Sequence, residues 1–321
     1  MKLYLILATV LILVMIVFPL SLNVSQNNIN NQEYDLTTEE APDIKDEAKS
    51  TVNVLRVSSG KVESTSVNDY IIGAVACEMP ASFNEEALKA QAVACYTYLQ
   101  WILENSDNPS DEYSDISDSS ATHQGYLNKE EMKEKWGNKF EFYYNKIQKA
   151  VQSVEGEYLC YNGSPILSVF HALSSGMTNS SEDVWGDAIP YLASVSAPGD
   201  RLSSDIDSTV NYTKEEFEEI CRKNGITSFT IKDTVCSDSG YVKSITIGNK
   251  NLTGTDICRL FSLKSPVFEI EESEDGIIFH VKGKGHGIGM SQYSADFMAR
   301  QGSSYEEILL HFYTGATIEK I

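Results

Sequence analysis

Positive charge is scarce in this chain: 25 Lys and Arg stand against 46 Asp and Glu, for a net charge of -21. Phosphate binding needs clustered Lys and Arg, so the balance excludes nucleic acid as a partner. It also excludes docking on an anionic membrane through a basic patch. Nucleotide-binding loops are missing: Lys282-Gly283-Lys284-Gly285-His286-Gly287-Ile288-Gly289 is glycine-rich but fits neither GxGxxG with an acid downstream nor GxxxxGK[ST]. GxSxG is absent, which removes the nucleophile elbow of a Ser/His/Asp hydrolase. There is no CxxC and no HExxH, and His171 with Cys160 on neighbouring strand-like segments does not amount to a zinc site. The six cysteines (Cys77, Cys95, Cys160, Cys221, Cys236 and Cys258) are widely spaced, so this is not a disulfide-stapled miniprotein. Cys77 and Cys95 lie in alanine-rich, helix-like surroundings, the ordinary place for a buried free thiol. Catalysis by Cys77 or Cys160 with a histidine finds no local support, and no internal repeat is visible.

What is present begins with an apolar run. Leu3 to Leu22 carries no charge and is about long enough to cross a bilayer as a helix. Pro19-Leu20-Ser21-Leu22-Asn23 offers no small-x-small cleavage site, so residues 1–22 are expected to form an uncleaved signal anchor. Lys2 on one flank, and neutral then acidic residues on the other, put the N-terminus in the cytoplasm and the remainder outside. Residues 23–50 are polar, acidic and without periodicity, and read as a disordered stalk. The hydrophobic fraction of 42% allows an ordinary core in residues 51–321.

That part reads as α+β, with mixed helices and mainly antiparallel strands in a two-lobed ectodomain. Val52 to Val57 alternates like a half-buried strand, and Val62 to Val67 returns as its hairpin partner after Ser58-Ser59-Gly60-Lys61. Asp69 opens a helix that should stop near Glu78, because Met79 precedes Pro80. Ser82 with Glu85 reads as a capping box for a helix from about Phe83 to Leu103. An acidic Ser/Asp loop covers 104–121, helices are expected at 129–136 and 140–155, and strands at 157–161 and 166–171 flank an Asn162-Gly163 turn. Residues 174–190 look irregular. A module from about 209 to 281 is a candidate second lobe, with a helix capped by Thr213 and Glu216, and two helices (291–301 and 304–313) close the chain.

Three segments carry candidate chemistry. Glu78 sits at the break between two helices, with the tightly packable run Ala87 to Ala94 behind it. A helix C-terminus disfavours negative charge, so a carboxylate held there points to general acid/base work; the plain alternative is a surface Glu. His171, Ser174, Ser175 and Trp185, from Phe170-His171-Ala172-Leu173-Ser174-Ser175-Gly176 through Trp185-Gly186, offer hydroxyls, imidazole and an indole face that suit carbohydrate; the alternative is a polar loop with one packed Trp. In Gly285-His286-Gly287-Ile288-Gly289, alternate glycines let backbone approach a ligand or a strand; the alternative is a tight turn with His286 buried.

Together these segments resemble the stage II sporulation protein D (SpoIID/LytB) family. The likeness rests on Glu78-Met79-Pro80 with Glu86 to Ala94, on Asp115-Ile116-Ser117-Asp118 leading to Gln124-Gly125-Tyr126, on Phe170-His171 through Trp185 with Pro190-Tyr191-Leu192, and on Gly285 to Tyr293 with Glu307 to Gly315. It spans about residues 52–318. The resemblance implies a membrane-anchored peptidoglycan lytic transglycosylase that cleaves the MurNAc-β-1,4-GlcNAc bond to 1,6-anhydro ends during engulfment. It matches Glu78 to the family's catalytic glutamate. Glycan binding is expected at Gln91, Tyr96, Gln124, His171, Ser174, Ser175, Trp185, His286, Ser291 and Gln292. Also implied are a single-pass site in the mother-cell membrane and two partners, a sporulation amidase/endopeptidase and a membrane protein of the engulfment machinery. No cofactor is expected. Two departures stand out. Tyr96 occupies the place of the family's usual Arg, which favours the rival reading of a non-catalytic glycan-binding activator of a cell-wall amidase. Ala172 follows His171 where some clostridial relatives have a zinc-site cysteine, so no metal is carried over.

Overall fold

The computed structural model describes residues 50–105, 114–120 and 122–321. The expected anchor at 1–22 and the stalk up to residue 49 lie outside the described residues, among which no helix is long and apolar enough to cross a membrane.

The described chain opens with the expected hairpin. Strands β1 (Thr51–Arg56) and β2 (Lys61–Ser66) pair antiparallel, and Val52 and Val54 alternate into the core. Helix α1 (Val67–Glu78) starts two residues before Asp69, because the Ser66 hydroxyl accepts from the Asp69 N–H at 3.1 Å. It ends at Glu78, as the Met79-Pro80 pair predicts: Met79 is extended, with φ -117° and ψ 140°. Helix α2 (Glu85–Asn105) starts later than the Ser82 box suggests. Asn84 caps it instead, accepting from the Glu86 N–H at 3.0 Å while its own N–H is held by Asp296 at 2.6 Å. A tertiary contact overrides the local signal.

Helix α2 is the axis of the larger core. Ala87, Ala90, Ala92 and Ala94 are dry, and their small side chains let neighbouring elements come close. A short strand β3 (Ile116–Ser117), which the acidic composition of its loop conceals, adds parallel to β1. Helices α3 (Lys129–Trp136) and α4 (Phe140–Ser153) follow, and α4 packs on α1 and α2. Strands β4 (Glu157–Tyr161) and β5 (Ser164–Pro165) turn at Asn162-Gly163, where both residues have positive φ. Strand β6 (Phe170–His171) leads to helix α5 (Ser181–Trp185), which lies inside the segment expected to be irregular.

A second hydrophobic cluster belongs to residues 207–282. Strand β7 (Asp207–Thr213) runs into helix α6 (Lys214–Lys223), whose Thr213/Glu216 capping box forms as expected. Strands β8 (Ile231–Cys236), β9 (Val242–Ile247) and β10 (Lys250–Leu252) make one antiparallel sheet, followed by helix α7 (Gly254–Phe261). Strands β11 (Phe268–Glu272) and β12 (Gly276–Lys282) join β7 in another. Phe217, Phe261 and Phe279 stack at its centre, with centroids 5.1 Å and 5.0 Å apart. The chain then returns to the larger core through strand β13 (Met290–Ser291), helices α8 (Gln292–Arg300) and α9 (Tyr305–Phe312), and strand β14 (Thr317–Lys320) against β4. The fold is α+β. Among the described strands, only β1–β3 and β6–β13 pair in parallel, with one isolated parallel bridge between Asn179 and Ile288.

Candidate active site

Glu78 occupies the last position of α1, where no further turn covers its side chain. The segment after β3 runs along this helix, with the Leu127 N–H donating to the Gly73 carbonyl at 3.2 Å and the Tyr126 ring stacked 5.5 Å from Tyr70. That path brings the Gly125 N–H onto Glu78 Oε1. Only glycine allows the approach: a Cβ on residue 125 would meet Cys77 Sγ at 2.6 Å and Glu78 Oε1 at 2.9 Å. Burial holds the Glu78 carboxyl above its ordinary range, against the Gly125 N–H and Lys135, which both favour the carboxylate.

The carboxyl opens into a cleft of about 340 Å³ lined by Glu78, Tyr98, Ser120, Thr122, His123, Gln124, Val169, Phe170, His171, Gly285 and His286. The far wall depends on the parallel pair β6–β13, which sets Met290 beside Phe170 and Ser291 beside His171. Gly289 permits this: with φ +70°, a Cβ there would lie 2.0 Å from the Val169 carbonyl oxygen. Two histidines from segments far apart in sequence thus become neighbours, His171 and His286, with ring centroids 6.0 Å apart.

Known proteins are similar to this chain in sequence. A family model described as Stage II sporulation protein matches residues 56–161. Stage II sporulation protein D of Bacillus subtilis (strain 168) is 36% identical over 274 residues, 84% of this chain and 79% of that protein. The chain belongs to the stage II sporulation protein D family. The stage II sporulation protein D of Bacillus amyloliquefaciens is 34% identical over 275 residues, 85% of this chain and 80% of that protein. A more distant likeness is to the amidase enhancer of Bacillus subtilis (strain 168), 25% identical over 307 residues that make up 77% of this chain and 40% of that protein. Membership sets a sporulation role related to the cell wall.

Within this family member, the residues expected to bind glycan fall into three groups. Gln124, His171 and His286 line the Glu78 cleft. Gln91, Ser174, Ser291 and Gln292 lie behind it, buried and bonded to one another or to Asp200. The Gln292 amide donates to Gln91 Oε1 at 3.2 Å, bridging α8 and α2. Asp200, with no exposed surface, accepts from the Ser174 N–H at 2.6 Å and from the Ser291 and Ser294 hydroxyls at 2.7 Å each. This carboxylate ties the loop after β6 to the start of α8. Ser175, Trp185 and Tyr96 are elsewhere. Ser175 donates to the Ser239 carbonyl at 2.9 Å, toward the second cluster, and Trp185 does not line the cleft. Tyr96 lines a separate cavity of about 330 Å³ with Asn68, Glu155 and Ile321. Tyr96 and Tyr98, two positions apart, point about 200° apart around a helix, so the position where the family's Arg is replaced lies outside the cleft.

Sequence reasoning missed Tyr98, Phe170 and His123 as lining residues. His123 is anchored by Ser117 at 2.7 Å, and burial lowers its basicity. Among the described residues, no group of three or more His, Cys, Asp or Glu is placed to hold a metal ion.

The two cleft histidines are held neutral. Burial keeps His171 down at about 4, opposed by the Ile288 carbonyl that faces its Nδ1 at 3.1 Å. Burial, and next His171 itself, keep His286 at about 4, opposed by the Phe170 carbonyl. An unfolded histidine takes its proton near 6.5, well above these folded values. Between those limits the unfolded chain therefore binds more protons, and stability falls as pH drops from about 6.5 toward 4. The loss from His171 alone is roughly 3 kcal/mol across the window. Thermal unfolding followed against pH should show a fall in Tm beginning between pH 6.5 and 5, above the range where ordinary carboxylates protonate. A flat Tm down to pH 5 contradicts the buried neutral pair.

Proposed function

We propose that this chain is a membrane-anchored peptidoglycan lytic transglycosylase that opens the MurNAc-β-1,4-GlcNAc bond during engulfment. The observation that carries the reading is Glu78: a carboxyl in a sugar-sized cleft, kept above its ordinary range by burial and held in place by one backbone N–H. A protonated Glu78 donates to the glycosidic oxygen as the bond to the leaving sugar breaks. The resulting carboxylate then takes the proton of the muramic 6-hydroxyl as that oxygen attacks C1 of the same sugar, closing the 1,6-anhydro ring. Glycosidases that use water as acceptor generally employ two carboxylates. Glu78 is the one Asp or Glu among the described residues lining this cleft, in keeping with a nucleophile that belongs to the substrate.

Gln124, His171 and His286 are the candidate glycan contacts in the cleft. Gln91, Ser174, Ser291 and Gln292 support its walls. The anchor at 1–22, an extracytoplasmic catalytic part at 51–321, an amidase partner that strips stem peptides and a membrane partner complete the proposal. The likeness to an amidase enhancer favours a second reading, a glycan-binding activator of a cell-wall amidase without cleavage of its own.

Mass spectrometry of products from residues 50–321 on peptide-stripped glycan strands separates the two. Anhydro-muramyl ends are expected from the unaltered chain. Intact strands, with binding retained, would rule out the enzyme and leave the activator.

A further inference from the structure

The face of α2 that carries Tyr98 into the cleft carries Trp101 three residues on, so the two side chains are neighbours along the helix. Their ring centroids are 6.4 Å apart and the planes differ by 24°. Both residues are half-buried, whereas Thr97 and Leu99 between and beside them are dry. Tyr98 lines the cleft together with Glu78, and Trp101, its ring neighbour, packs part-buried against the larger core just beyond the lining.

The cleft also has a polar lining. Ser120, Thr122 and Gln124 belong to it, and Gln124 Oε1 is buried with no hydrogen-bond partner among the described residues. The orientation of that amide follows from its surroundings: Nε2 donates to the Cys95 carbonyl at 3.2 Å and to the Tyr70 hydroxyl at 2.8 Å, and a carbonyl accepts only from a donor. The orphaned atom is therefore an acceptor, and leaving it unpaired is unfavourable. A ligand bringing an N–H or O–H removes the deficit. A cleft lined by aromatic rings together with hydroxyls and a bare acceptor complements a pyranose, which presents C–H bonds from its faces and polar groups from its rim.

We propose that Tyr98 and Trp101 form a platform for consecutive hexosamine rings of the glycan, one sugar over Tyr98 beside Glu78 and the next over Trp101. The acetamido N–H of the inner sugar is the donor that Gln124 Oε1 takes. The platform rests on the glycan reading above for the identity of its ligand but not for the cleavage step.

The test uses the Glu78→Gln chain, which binds without turnover, and a tetramer of β-1,4-linked N-acetylglucosamine as the probe. Affinity is read by calorimetry and by tryptophan fluorescence. Adding Trp101→Leu, which stays apolar but removes the ring face, should weaken binding about tenfold. Trp101→Phe should recover most of that affinity, and Tyr98→Leu should weaken it as well. The fluorescence change on binding should vanish with Trp101→Phe even though Trp136 and Trp185 remain. On peptide-stripped strands, Trp101→Leu in the active chain should raise KM by a similar factor. Equal affinity for the Trp101→Leu variant and its parent, or no binding of the tetramer by the parent, overturns the platform. Loss of affinity on Trp101→Leu in a chain that yields no anhydro products leaves the platform standing and removes the transglycosylase instead.

Discussion

Glu78→Gln is expected to lower kcat on peptide-stripped glycan by roughly 10³-fold, the scale of a lost general acid/base. Gln preserves the shape of the side chain and keeps an oxygen for the Gly125 N–H, but it has no proton to give. The same substitution should leave the fold as stable or slightly more stable. Burial raises the Glu78 carboxyl, so this group contributes stability below its unfolded value and loses it as pH rises through the folded one. At neutral pH the ionised form is therefore a cost that Gln removes. A melting temperature at or above that of the unaltered chain, with activity gone, is the expected signature. The active chain should lose rate along an alkaline limb centred above 4.5, the ordinary carboxylate value here, because the proposed first step needs the protonated form. Unchanged kcat in Glu78→Gln would end its assignment as the acid. A large fall in Tm would assign it a structural role.

Asp200→Ala is expected to be the most damaging change away from Glu78. Its carboxylate receives one backbone N–H and two hydroxyls in a dry site, and removing it strands all three donors. Hydrogen bonds to a charged group contribute more than neutral ones, so the loss should be on the order of 4 kcal/mol. In a chain of this size that lowers Tm by roughly 10 °C. Ser174 and Ser291 also set the positions of β6 and β13, so the far wall of the cleft should loosen and product yield fall together with Tm. Asp200→Asn keeps one acceptor and should recover part of both. A shift of less than about 2 °C in Asp200→Ala would show that the surrounding backbone holds the wall without it.

Local chemistry explains which parts of this architecture could be read from the residues. The end of α1 at Glu78 follows from a residue preceding proline, the hairpin of β4 and β5 from Asn162-Gly163, and the start of α6 from a Thr/Glu pair three apart. Each signal acts within a few residues. What escaped involves distance along the chain. The three donors to Asp200 come from 26, 91 and 94 residues away, and its own segment, Pro198-Gly199-Asp200-Arg201, has the composition of an exposed turn. Strand β3 escaped because two residues that gain their partners from β1 leave no periodicity to detect. Tyr98 stands beside Thr97 in a helix recognisable as such, but which side of that helix faces Glu78 is decided by the packing of α1 and of the segment through Gly125. Tyr96 shows the same from the other direction: its position matches a family Arg, and its side chain faces another cavity.

The chain leaves the larger core at Asp207 and comes back at Lys282, and these two residues are register partners on adjacent strands. Everything between them is a parenthesis whose opening and closing marks touch. Seen as an evolutionary joint, this is a place where a body can be enlarged, trimmed or exchanged while the ends stay put and the strands flanking the cleft keep their spacing. A change of size or sequence inside this parenthesis can then be accommodated without moving Glu78 at the end of α1.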